Sequence, residues 1–91
     1  MKKNSNLKTN LSEVLELPIE ITLDLPKITL IGNKEAIVFN HKGIIEYSEK
    51  LIRINSKVGI IKLVGNYLEI RNILSEEILI VGIIENIEII S

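Results

Sequence analysis

The sequence predicts a mainly β fold: an antiparallel β meander or roll of about eight short strands with one short N-terminal amphipathic helix. Three observations predict it. The chain carries 20 Ile and 5 Val against one Ala, and β-branched side chains fit a pleated surface but lose rotamer freedom in a helix. Short apolar segments recur between turn signals, as in a compact β domain. In Leu51-Ile52-Arg53-Ile54-Asn55 and Tyr67-Leu68-Glu69-Ile70-Arg71, strict alternation puts Ile52, Ile54, Leu68 and Ile70 on one face and polar residues on the other.

The elements follow in order along the chain. Residues 1–6 are polar and basic and read as a flexible tail; 7–91 read as a single domain. Leu7, Leu11, Val14 and Leu15 fall at i, i+4, i+7 and i+8, one stripe of a helix that Pro18 stops near Glu16. Strands are expected over 20–23, 27–31, 35–40, 44–48, 51–55, 60–64, 67–71, 78–81 and 84–89. Segments 28–31 and 78–81 lack polar alternation, so both faces of each are expected to be covered, with Leu7, Leu11 and Leu15 docked there. Gly32-Asn33-Lys34, Asn40-His41-Lys42-Gly43, Ser56-Lys57-Val58-Gly59 and Leu74-Ser75-Glu76-Glu77 read as short connections, and Gly65-Asn66 as a two-residue hairpin turn. Leu30-Ile31-Gly32-Asn33 is echoed by Leu63-Val64-Gly65-Asn66. Chance in an Ile-rich meander explains the echo more readily than a repeat.

Several function classes are disfavoured. With 11 basic and 12 acidic residues, two Tyr, one Phe and no Trp, the chain has neither the basic face nor the stacking platform of a nucleic-acid binder. Without Cys there is no disulfide, thiolate nucleophile or Cys-based zinc site. The N-terminus lacks the apolar stretch of a signal peptide, and no apolar run approaches membrane-spanning length. Gly32-Asn33-Lys34 lacks the spaced glycines and following helix of a phosphate loop. Asp24 and the eleven Glu show no acid/base or metal spacing. No catalytic, cofactor-binding or metal-binding residue is expected, and no small-molecule substrate.

Contact surfaces are the remaining candidates. His41 could act as base, ligand or sensor, but reads best as a solvated turn histidine. Lys2, Lys3 and Lys8 ahead of the helical stripe could meet an anionic membrane surface; an ordinary polar tail is the plainer reading. The segment 84–90, with Ile87 and Ile89, could pair as an exposed strand edge with another subunit, or be guarded against pairing by Glu85 and Glu88.

Leu23-Asp24-Leu25-Pro26-Lys27-Ile28-Thr29-Leu30-Ile31-Gly32-Asn33, then Asn40-His41-Lys42-Gly43-Ile44 and Tyr47-Ser48, resemble the YabP/YqfC family of sporulation proteins, and most of all its YqfC branch. The likeness continues through Gly65-Asn66-Tyr67-Leu68-Glu69-Ile70 and Leu74-Ser75-Glu76-Glu77-Ile78-Leu79-Ile80-Val81-Gly82, so it covers nearly the whole chain. Asp24, Pro26, Gly32, Asn33, Gly65 and Gly82 are read as structural residues of this pattern. Pro26 would fix entry into a strand, Gly32 and Gly43 would supply turns, and Asp24 would hydrogen-bond a turn backbone.

The resemblance implies a non-enzymatic sporulation protein of endospore-forming Gram-positive bacteria, cytoplasmic, on the mother-cell side of the forespore membrane. It implies an adaptor or assembly factor at the spore envelope whose partner is a membrane-embedded sporulation protein. Asn40, His41, Lys42, Gly43, Leu7, Leu11, Ile87 and Ile89 are the candidate contact residues. The alternative is a self-assembling scaffold, a homo-oligomeric ring or filament.

Overall fold

The structure, a computed structural model, describes residues 23–91. They form six antiparallel strands: β1 (Lys27–Ile31), β2 (Glu35–Phe39), β3 (Ile44–Tyr47), β4 (Leu51–Ser56), β5 (Gly59–Ile73) and β6 (Glu77–Ile90), in the sheet order β1-β2-β6-β5-β4-β3. No helix occurs among the described residues. The expected N-terminal helix, with Leu7 and Leu11, lies outside them, as does the expected 20–23 strand except for Leu23, which sits in a turn.

Six strands replace about eight because two expected breaks are not breaks. The segments 60–64 and 67–71 are one strand, β5, and 78–81 and 84–89 are one strand, β6. Gly65-Asn66 is therefore not a hairpin turn: Gly65 pairs with Ile84 and Asn66 with Ile83 in mid-strand. Register shifts at Val64/Gly65 and at Asn66/Glu69 show what these glycines do instead. Extra residues on each strand bend the long β5–β6 hairpin, as β-bulges do, and the two backbones come together there. A Cβ on Gly65 would be driven into the carbonyl oxygen of Ile83, and one on Gly82 would lie 2.6 Å from that of Tyr67. The Gly-Asn echo thus has no structural counterpart, since Gly32-Asn33 lies in the β1–β2 turn and Gly65-Asn66 inside a strand.

The bend uncovers backbone amides, and the two short hairpins satisfy them in the same way. The β1–β2 turn offers Asn33 and Lys34 carbonyls to the Ile84 and Gly82 amides of β6, at 2.8 and 3.1 Å. The β3–β4 turn offers Glu49 and Lys50 carbonyls to the Leu68 and Gly65 amides of β5, also at 2.8 and 3.1 Å. Each short hairpin also pairs with one half of a long strand, β2 with Glu77 to Val81 of β6 and β4 with Gly59 to Val64 of β5. The two short hairpins thus flank the bent β5–β6 hairpin in matching ways, and because β2 pairs with β6 the sheet is not a sequential meander.

Its core is the face that alternation predicts. Ile52 and Ile54 of β4, Ile61, Leu63 and Leu68 of β5, Ile78, Ile80 and Ile84 of β6, and Ala36 and Val38 of β2 are buried together, with Ile28, Ile44, Ile70 and Ile87 packed against them. Segment 78–81 has one buried face, Ile78 and Ile80, and one half-covered face, Leu79 and Val81. For 28–31 the expectation of two covered faces fails: β1 is an edge strand, with Leu30 and Ile31 each about half exposed.

Candidate functional site

Three segments distant in sequence meet at one end of the sheet: 23–26 ahead of β1, 40–43 between β2 and β3, and 74–76 between β5 and β6. Pro26 delivers the chain into β1, as its fixed φ suggests. Asn40 turns the chain after β2 in the left-handed region (φ 65), which Asn tolerates better than most residues. Its side-chain amide donates to the Leu25 carbonyl at 3.0 Å, and its backbone amide donates to the Glu76 carbonyl.

His41 holds the second connection. The Gly43 amide donates to its Nδ1 at 3.0 Å, so the ring proton is on Nε2, which donates to the Leu74 carbonyl at 3.1 Å. The imidazole is half-buried with both nitrogens committed to backbone, so it is a staple between two loops and not a solvated turn residue. Gly43 adopts φ 112, and the Lys42 and Asn55 amides donate to the Asn55 and Gly43 carbonyls across this loop.

Asp24 holds the third. Among the described residues its carboxylate bonds no turn backbone; it pairs with Lys42 Nζ at 3.1–3.2 Å. The hydrogen bond to Lys42 holds its carboxyl below the usual carboxylate range, and Asn40 and Lys57 act in the same direction. Lys57 Nζ reaches the Leu23 carbonyl at 3.2 Å, tying the β4–β5 turn to the same corner.

Asn40, His41, Lys42, Gly43 and Asp24 are therefore brought together, whereas Gly65 and Gly82 shape the bend and Gly32 and Asn33 lie in the β1–β2 turn. Ile87 and Ile89 lie far along β6, opposite Leu63 and Ile61. Leu7 and Leu11 lie outside the described residues. No group of three or more His, Asp or Glu able to hold a metal occurs among the described residues, and no helix among them is long and apolar enough to cross a membrane.

The YabP family model matches residues 24–90. The chain belongs to the YabP family. This YabP-family chain is also 34% identical over 84 residues to the uncharacterized protein YqfC of Bacillus subtilis (strain 168), spanning 92% of the chain and 90% of that relative. No solved structure matches it.

Sequence reading missed what the YabP-family corner presents to solvent. Ile73 and Leu74, at the β5–β6 turn, are 61% and 53% exposed, directly beside the loops that Asn40 and His41 fasten. The signal is two adjacent apolar residues ahead of Ser75-Glu76-Glu77, of which Leu74 falls in an expected connection and Ile73 in no expected element. Tyr67 was missed as well. It lies at the bend with φ 55 and is 74% exposed, a left-handed tyrosine within a strand, which no local pattern announces.

Proposed function

We propose that this YabP-family chain is a non-enzymatic sporulation protein, an adaptor at the forespore envelope, acting through protein contacts at the fastened corner of its sheet. The observation that carries this reading is the exposed apolar pair Ile73 and Leu74 on a turn whose backbone is held by Asn40 and His41. A rigid apolar projection loses little conformational entropy on binding, so it suits recognition. The residues that sequence reasoning offered as contacts, Asn40 to Gly43, act in this reading as the mount and not as the contact itself. His41 has both nitrogens on backbone carbonyl and amide, which leaves it no free nitrogen for proton transfer.

The partner proposed is a membrane-embedded sporulation protein on the mother-cell side, as the family resemblance implies. A photo-crosslinking residue at position 74, introduced in sporulating cells, is expected to give an adduct with an integral membrane protein. The same residue at exposed Glu69 is expected to give none. Equal adducts from both positions, or none from position 74, would sink the reading.

A further inference from the structure

Among the described residues the sheet has four stretches of strand edge, and three are short or covered. β3 has four residues and a register shift between Ile44 and Glu46. β1 has five residues. The outer side of the second half of β5 is capped by the Glu49 carbonyl on the Leu68 amide and by the Tyr47 hydroxyl, which accepts from the Ile70 amide at 3.2 Å. The fourth is different. On β6, cover from the β1–β2 turn stops at the Ile84 amide, and among the described residues no strand lies against 85–90 on the side away from β5. An open row of backbone donors and acceptors of this kind is a template for another strand.

We infer that the 85–90 edge of β6 pairs antiparallel with the same edge of a second copy of this chain, about a two-fold axis at Ile87. Two observations select a second copy and this register. First, Glu85, one of the two carboxylates that might guard the edge, is engaged by β5, accepting from the Asn66 side-chain amide at 2.7 Å, while Glu88 lies in register with Lys62. Second, the segment is self-complementary about Ile87. Ile87 meets Ile87 of the second copy, Asn86 meets its Glu88, and Glu85 meets its Ile89, so no like charges oppose one another. A register centred one residue later would set Glu88 against Glu88, which is unfavourable.

Ile89, 51% exposed on the core side of the sheet, gains cover in the pair. The contact is isologous and uses up the edge, so it closes at two copies and does not propagate into a ring or filament. It stands independently of the adaptor reading, which uses the opposite end of β6.

The test uses charge at Asn86, which is exposed. Sedimentation equilibrium of the full chain over a concentration series is expected to show a monomer–dimer equilibrium. Asn86→Glu places two Glu–Glu pairs across the axis and is expected to weaken the dimer about tenfold; Asn86→Lys creates two Lys–Glu pairs and is expected to tighten it, less so at high salt. Circular dichroism melts at a concentration where both variants are monomeric should coincide with wild type. Hydrogen exchange at 85–90 should slow as concentration rises. A monomer throughout, filaments in place of dimers, or a dimer indifferent to both substitutions would overturn the inference. So would protection of 85–90 that is independent of concentration, because the edge would then be covered from within the same chain.

Discussion

His41 Nε2 and the Leu74 carbonyl, 33 residues apart in sequence, lie 3.1 Å apart and join the β2–β3 connection to the β5–β6 turn. Because Nδ1 already accepts from the Gly43 amide, the geometry fixes the neutral tautomer with its proton on Nε2. Long-range 15N–1H correlation spectra are expected to show that tautomer. His41→Ala removes both bonds and leaves the Gly43 amide without its acceptor, so it is expected to cost about 1–2 kcal/mol. For a domain of this size that lowers Tm by roughly 5–10 °C. An unchanged Tm, or the Nδ1–H tautomer, would contradict the staple.

Glycine substitutions should separate two kinds of cost. Gly32 sits in open space at φ 55, so Gly32→Ala meets only the left-handed penalty, about 1 kcal/mol. Gly65 and Gly82 hold backbone against backbone at the bend, so Gly65→Ala or Gly82→Ala must separate β5 from β6, at about 3 kcal/mol or more. Urea unfolding of the three variants should give that order. Equal losses would mean that close approach is not what these positions provide.

Those glycines also show how far the sequence could be read. Alternation identified the buried faces of β4 and β5, because a half-buried strand writes its environment into every second residue. The same reading split β5 and β6, because Gly-Asn is equally compatible with a turn and with a bulge. What decides is whether another backbone crosses there, and Ile83 and Tyr67 do so from distant parts of the chain. The fastened corner was legible as motifs, Asp24 to Lys27 and Asn40 to Gly43, but not as a cluster. Its bonds run to the backbone of Leu25, Leu74 and Glu76, and a carbonyl acceptor leaves no residue-type signal. Ile73 and Leu74 look like any other apolar pair of this Ile-rich chain until the fold leaves them uncovered.

The Asp24–Lys42 pair predicts a defined acid limb. The carboxyl titrates lower in the folded chain than in the unfolded one, chiefly because Lys42 hydrogen-bonds its charged form. Its stabilising contribution is therefore fully present above the unfolded value, near pH 4, and is lost as pH falls through the folded value. Asp24→Asn keeps a side chain that tolerates φ 59 while removing the charge. Melts from pH 2 to 7 should show wild type more stable than Asp24→Asn at neutral pH and the two converging in acid. A gap that persists at the acid end would assign the effect to something other than the ion pair.

Tyr47 is expected to matter through its oxygen. The side chain is half exposed, and its hydroxyl accepts from the Ile70 amide on the outer side of β5, where no strand continues the sheet among the described residues. Tyr47→Phe retains the ring and returns that amide to water, so the stability loss should be small, about 0.5–1.5 kcal/mol. Hydrogen exchange gives the sharper measurement. The Ile70 amide should exchange faster in Tyr47→Phe, whereas Leu68, held by the Glu49 carbonyl on the same side, should keep its protection relative to global stability. If Ile70 and Leu68 lose protection equally, the hydroxyl is not an edge cap and the loss reflects detachment of the whole β3–β4 turn.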